Sequence, residues 1–481
     1  MKKTLFALLL TGLLLVIAAC KSGEAGNQTD ISFSAADSAE EAAESVGEAP
    51  DAPDAIDYES DLSTARYDGY DYRIYVRKGR LHYQYFDEPQ ENVVDDALYR
   101  RNKAVEDRYG VNIVVSESPE SNTDTSALNS ILAGDDSFDL ILTHARSAYA
   151  YATQGACYDL HDLKELHLDK PWWTKDIVEE STINGKLYVI NGDFSINALE
   201  HAMCIFFNKR IFDELGFDYP YETVRDGEWT FDEFSYLAKK GAADLNGDGV
   251  MKIEDDRYGY IDQVWYGPVN VLYAGGERIY AKDETGALAL TMYSNKTVQI
   301  FNAYFNLMNN EGCFLGAANG VFTGGRAMMS CYGLGSASGF RNMDDDFGIV
   351  PYPKFDEDDE YHCACNAVHD LAVIPITVSD PDRTGAITEA LCAYGSEYVV
   401  PAFYDVTLKT KSARDEESAE MMDIIKESIV FDIAYAAGTT LGNGGAELCA
   451  YPDHNFSSWY AARESGAKEA LVSFVANYAG E

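Results

Sequence analysis

In "DGYDYRIYVRKG" apolar and polar residues alternate, with Tyr70, Tyr72, Ile74 and Val76 on one side, and this predicts a first β-strand. "DDALYRRNKAVEDRYGVNIVVSES" then changes period. Its apolar residues recur at helical spacing as far as Gly110, after which a β-branched run predicts a second strand. The unit repeats in "TSALNSILAGDDSFDLILTHARSAYAYATQGACYDLHDL": a helix, a Gly-Asp-Asp turn, a buried strand "FDLILT" and another helix. Strands alternating with helices imply a largely parallel sheet, whose ligands sit beyond the carboxyl ends of the strands. That rule places Thr143, His144 and Arg146 on a ligand-facing rim. Farther on, "SDPDRTGAITEALCAYGSEYVVPAFYDV" and "DEESAEMMDIIKESIVFDIAYAAG" carry long apolar stripes of helical character.

The N-terminus changes the address of the chain. "MKKTLFALLLTGLLLVIAAC" has two lysines, a short apolar run and small residues before Cys20, the pattern of a signal peptide. "VIAAC" also resembles a bacterial lipobox, which makes Cys20 the lipidated first residue of a mature, extracytoplasmic, membrane-anchored protein. Residues 21–65 are rich in Ala, Ser, Gly, Glu and Asp and hold too little apolar surface to offset chain entropy, so they read as an extended acidic tether. About 415 residues remain, too many for one ordinary core and suited to two lobes. With 80 acidic against 37 basic residues and a formal net charge of −43, the surface repels nucleic acid and disfavours a strongly anionic ligand.

The units in this order resemble the extracellular solute-binding proteins of ABC transporters, in particular the large family 1 that includes sugar and oligosaccharide binders. The resemblance rests on the lipobox, "RRNKAVEDRYGVNI", "FDLILT", "CYDLHDL", "FFNKRIFDELGF" followed by "GEWTFDEFSYLAKK", and "GVFTGGRAMMSCYG" followed by "DDDFGIVPYPK". It implies an α/β, two-lobed periplasmic-binding-protein-like fold of type II, with a hinge of two or three chain crossings and a ligand cleft between the lobes. In that frame residues 68–190 and 320–375 form the first lobe, and residues 195–315 with the C-terminal helices form the second. The implied function is capture of a carbohydrate by a monomer and its delivery to ABC permease subunits. A peptide- or metal-binding lipoprotein of the same fold, or an exported glycosidase, stays open as an alternative. No G-x-S-x-G, H-E-x-x-H, P-loop or dinucleotide motif points to catalysis.

A sugar offers apolar C–H faces ringed by hydroxyls, so its site calls for aromatic planes and a few polar groups. Trp172 and Trp173 in "DKPWWTKD", and Trp265 and Tyr266 in "IDQVWYGP", stand in loops near the expected cleft. Adjacent residues of an extended segment point opposite ways, so at most one of each pair faces the ligand. Asp193 in "NGDFS" is read either as an acceptor for sugar hydroxyls or as part of a turn. Tyr332 and Gly333 follow the "RAMMS" strand where a backbone approaches the ligand. Trp229 precedes a Thr230 helix cap and reads as structural.

"DLNGDGVMKIEDD" matches a calcium loop, with Asp244, Asn246 and Asp248 at positions 1, 3 and 5, the Val250 carbonyl at position 7 and Asp255 at position 12. Only one such loop is present, which favours a structural Ca2+ ion, near the cleft wall, over a sensor. His362, Cys363, Cys365 and His369 are soft metal ligands, but Cys-x-Cys running into an apolar stretch reads better as a buried strand than as a zinc site.

Overall fold

Two separate cores satisfy the alternation in "YDYRIYV", one on each side of a sheet. The structure, a computed structural model, describes residues 56–119, 125–318, 320–367, 369–412 and 415–480. Its strands begin with β1 (Tyr70–Val76), β2 (Val111–Glu117), β3 (Leu140–His144), β4 (Met203–Asn208), β5 (Tyr258–Asp262), β6 (Tyr280–Lys282) and β7 (Leu288–Leu290). They continue with β8 (Cys313–Leu315), β9 (Ala327–Gly333), β10 (Phe347–Pro351), β11 (Cys363–Ala364), β12 (Asp370–Val373) and β13 (Ile429–Val430).

The first sheet has the order β12-β3-β1-β2; β2 and β3 run parallel to β1, and β12 runs antiparallel to β3. Tyr72, Ile74 and Val76 pack with Val105 and Tyr109 on one face, while Tyr75 joins Ile141, Tyr149 and Ala152 on the other. Both faces are therefore covered, and β3 is buried at every position. The helix Val93–Tyr109 that covers one face starts at Asn92, whose side chain accepts the Val94 amide at 2.9 Å. It ends at Gly110 in the left-handed conformation.

The second sheet has the order β10-β4-β9-β5-β8. β4 is antiparallel to both β9 and β10, and β5 is parallel to β9 and β8. Here too one strand serves two cores: Met203, Ile205 and Phe207 face one, and Cys204 and Phe206 face the other. Trp229 is fully buried in the first of these and donates its indole N–H to the Pro351 carbonyl at 2.9 Å, the structural role its sequence context predicts.

Three segments connect the sheets. Residues 191–202 lead into β4, residues 352–369 lead back to β12, and β13 pairs in parallel with β11. Ala202 bridges Cys365, the Asn366 amide donates to the His201 carbonyl at 2.9 Å, and the Asp370 amide donates to the Asn197 side chain at 2.8 Å. Cys363 and Cys365 are buried here, and burial pushes both thiols up to about 12. This is the buried strand expected from the sequence. The eight described cysteines are free thiols.

Three expected boundaries are corrected. "RAMMSCYG" and "FGIVPYPK" do not return to the first lobe, because β9 and β10 flank β4 and complete the second sheet. Only β12 makes the return. The C-terminal helices are shared: Glu416–Glu427 packs on β10, whereas Glu464–Ala479 sends Tyr478 against the first sheet, its hydroxyl donating to the Ser181 carbonyl at 2.8 Å. Finally, the folded part begins before residue 66. Leu62 is 4% exposed in the first core, and Tyr58 lies 6.2 Å from the Trp172 ring. The signal segment, Cys20 and the rest of the tether fall outside the described residues.

Candidate functional site

β1 and β3 are parallel and β12 is antiparallel to them, so the residues after β1, those after β3 and those before β12 share one end of the first sheet. Arg77, Lys78 and Arg80 leave β1 there, His144 and Arg146 follow β3, and His369 and Asp370 open β12. Glu117 holds the turn after β1 by accepting the Gly79 amide at 2.8 Å. Arg77 is buried and pairs with buried Asp370 at 2.6 Å. His144 caps the helix Ala145–Thr153, its Nδ1 accepting the Arg146 amide at 3.2 Å. The ring has to be neutral to accept that bond. Burial first, and then the charges of Arg77 and Arg146, hold its pKa down at about 3.

The second sheet offers the matching end. β4 and β9 are antiparallel and β5 is parallel to β9, so Glu200 and His201 before β4 share an end with Gly333 after β9 and with residues 263–266 after β5. Gly333 and Gly335 lie against Glu200, where a Cβ at Gly333 would fall 2.7 Å from the Glu200 carbonyl and one at Gly335 would fall 3.1 Å from its side chain. Small residues are thus needed for this close approach. Glu200 and His201 sit on the crossing segment itself, within range of Arg80 and Arg77 of the first sheet. Burial pushes the Glu200 carboxyl up to about 7 against the opposing pull of the Tyr83 hydroxyl and Arg80, and it holds His201 down at about 3.

Two sheets with adjoining carboxyl-end rims and a three-segment hinge match known structures. UgpB from Mycobacterium tuberculosis, in complex with glycerophosphocholine, has a TM-score of 0.54 at 15% identity over 85% of this chain and 98% of its own. The cyclic alpha-maltosyl-1,6-maltose binding protein from Arthrobacter globiformis has a TM-score of 0.54 at 14% identity over 85% and 98%. The GacH receptor of Streptomyces glaucescens, solved unliganded and with acarbose, has 0.53 at 14% identity over 85% and 97%. The fold is the two-lobed type II solute-binding fold. No family model and no curated protein matches the chain.

The site residues expected from sequence divide within this fold. His144 and Arg146 stand at the first rim. Trp265 stands at the second, 69% exposed just beyond β5. Beside it, in the turn that leads into the helix Gly267–Ala274, Tyr266 points inward and donates its hydroxyl to the Cys331 carbonyl at 3.3 Å. Trp172 and Trp173 are not ligand platforms. They are 1% and 3% exposed, and both indoles donate to the carboxylate of buried Glu389, at 2.9 and 3.0 Å, from inside the first core. Thr143 is buried within the ladder opposite Leu371. Tyr332 packs among Phe206, Phe322 and Phe340. Asp193 is held in a turn by its amide, which donates to the Trp172 carbonyl at 2.9 Å, and burial pushes its carboxyl up to about 6.

Arg77, Arg80, Glu200, His201 and Asp370 escaped the sequence reading, and His369 entered it only as a candidate zinc ligand. One signal was available. "RKGR" directly follows the first strand, and the rule that selected the residues after β3 selects it equally.

The calcium-like loop precedes β5, whereas Trp265 follows it, so loop and rim lie at opposite ends of that strand. It is not at the cleft wall. Asp244 accepts the Gly247 and Gly249 amides at 2.7 and 2.8 Å, and Asp248 accepts the Val250 amide at 2.8 Å and pairs with Lys252 at 2.7 Å. Asp256 binds the Leu245 and Lys252 amides, at 2.9 and 2.8 Å, and draws the loop shut. Among the described residues no three acidic, histidine or cysteine side chains converge as a metal site. In this arrangement the carboxylates serve the loop's own amides and Lys252.

The Glu200 shift has a stability consequence of definite sign. The folded state keeps a proton that the unfolded chain releases near its ordinary value of 4.5, so this group's stabilisation is complete below that value and is lost as pH rises through 7. Glu200→Gln cannot lose a proton. Relative to the variant, the wild type should weaken by roughly 2–3 kcal/mol between about pH 4 and about pH 8, as read by urea unfolding at both ends. A wild-type-minus-variant difference that does not change with pH contradicts the assignment.

Proposed function

We propose that this protein is the solute-binding component of an ABC importer, held outside the cytoplasm by a lipid on Cys20, and that it captures a carbohydrate between its lobes. The observation that carries this reading is the pair of strand-end rims that adjoin across one hinge, with a large exposed aromatic, Trp265, on one and hydrogen-bonding side chains on the other. Sugars need this combination: a face to stack on and a polar edge to meet the hydroxyls. Two of the three structural neighbours, the cyclic alpha-maltosyl-1,6-maltose binding protein and the acarbose-bound GacH receptor, support the same class.

The chemistry is binding without bond making. A ligand touching both rims stabilises the closed arrangement by its differential affinity for it, and the extended crossings supply the bending. A monomer suffices for this, with the permease as its membrane partner. No described helix is long and apolar enough to cross a membrane, and the lipid is the proposed anchor.

Calcium at the loop 244–255 remains a separate proposal from the sequence pattern, and it requires Lys252 to leave Asp248. Melting the protein in calcium and again in chelator decides it: a higher Tm in calcium supports the ion, and identical curves remove it.

For the saccharide itself, Trp265→Ala should weaken binding about tenfold, the loss of one stacking platform, with the Tm of the free protein unchanged because the ring is exposed. Titration calorimetry with an oligosaccharide that binds the wild type reads this. Unchanged affinity takes Trp265 out of the site.

A further inference from the structure

The chain is strongly acidic, yet its candidate cleft is basic at the first rim. Acids outnumber bases by 80 to 37, and ten arginines accordingly have an acidic partner. Of the described residues, Arg80 and Arg146 are among the arginines without one, as are Arg101, Arg278 and Arg326 elsewhere in the fold. Arg80 lies 5.2 Å from the Tyr83 ring centre, and Arg146 donates to the Asn443 side-chain carbonyl. Arg80 follows the carboxyl end of β1 and Arg146 that of β3, its parallel neighbour, which places both at the same end of the first sheet.

The surrounding groups leave that charge uncompensated. Asp370 is taken by Arg77, and Glu117 is committed to the Gly79 amide. His144, His201 and His369 are buried or half-buried, and burial keeps them neutral. Glu200, the acid on the first crossing that feels Arg80, holds its proton up to about 7. Two further polar atoms at the hinge, Asn197 Nδ2 and His369 Nε2, are buried without a hydrogen-bond partner among the described residues. They add a donor and an acceptor of the kind a sugar's hydroxyls satisfy. Neutral saccharides need no cation. A pair of unmatched guanidinium groups at the ligand rim of a chain this acidic fits a ligand that brings the missing negative charge.

We propose that the captured saccharide is acidic, with its carboxylate or sulfate seated on Arg80 and Arg146. This rests on the carbohydrate reading above and narrows it. The net charge of −43 does not oppose it, because surface charges are screened over about 8 Å at physiological salt, and within that range the cleft's own groups dominate.

The test is calorimetric titration of the full chain with trigalacturonate, with its carboxyl-reduced neutral counterpart and with a sulfated chondroitin disaccharide. Wild type, Arg80→Gln and Arg146→Gln are compared, and melting curves confirm that all three are folded. The proposal expects an acidic saccharide to bind more tightly than the neutral one. Each glutamine variant should weaken the acidic ligand about 10- to 100-fold and weaken any neutral ligand by a much smaller factor. Which acidic ligand binds distinguishes carboxylate from sulfate. Tighter binding of the neutral sugar, or acidic binding indifferent to both substitutions, overturns the proposal and leaves carbohydrate capture standing. If no saccharide of either kind binds, the proposal and the carbohydrate reading fall together.

Discussion

Where the chain passes between its two sheets it leaves both ladders, and every buried amide in the crossing must find another partner. The crossings solve this with each other. Ala202 pairs with Cys365, Cys363–Ala364 pairs with Ile429–Val430, and the Asn197 side chain takes the Asp370 amide. Arg101, fully buried, fixes the entry to the first crossing by donating to the Phe194 carbonyl at 2.7 Å. Because so few residues span the two lobes, their mutual bonding sets the spacing of the two rims, and everything in the candidate site hangs from it.

That constraint also creates the electrostatics. The hinge brings residues distant in sequence into one polar region, buried at 77, 144, 369 and 370, half-buried at 80, 200 and 201, and exposed at 146. Desolvation there keeps His144, His201 and His369 unprotonated and Glu200 protonated. Arginine resists this, and so the site is left with cations that neither burial nor neighbours neutralise. Composition reported the opposite sign because it sums over the entire surface, whereas a ligand senses a few ångströms.

The sequence made the local elements legible. The strands at Tyr70–Val76, Val111–Glu117 and Leu140–His144 follow from period-two alternation and β-branched runs, and the helix Val93–Tyr109 from its apolar period and terminal glycine. The two-lobed fold followed from the order of such units. Pairing was not legible, since nothing in "RAMMSCYG" says that its neighbour is β4 and not β3. The same limit governed the site. Trp172 and Trp173 look like loop aromatics until Glu389, more than 200 residues later, is seen to bind both indoles. The exposed position of Trp265 was legible because a large aromatic just past a strand end has no local partner. The arginine rim was legible in principle, but its partner acids are apparent only once the hinge is assembled.

Trp265 also provides the most direct measurement of the central claim, that a saccharide is captured between the rims. Of the five tryptophans, the other four are buried, so ligand-dependent change in indole emission reports on Trp265. Titration with an intact saccharide should give a saturable blue shift as the ring leaves water, absent in Trp265→Phe, with the sugar recovered unchanged. Binding established by calorimetry with no emission change, or a sugar returned cleaved, would contradict it.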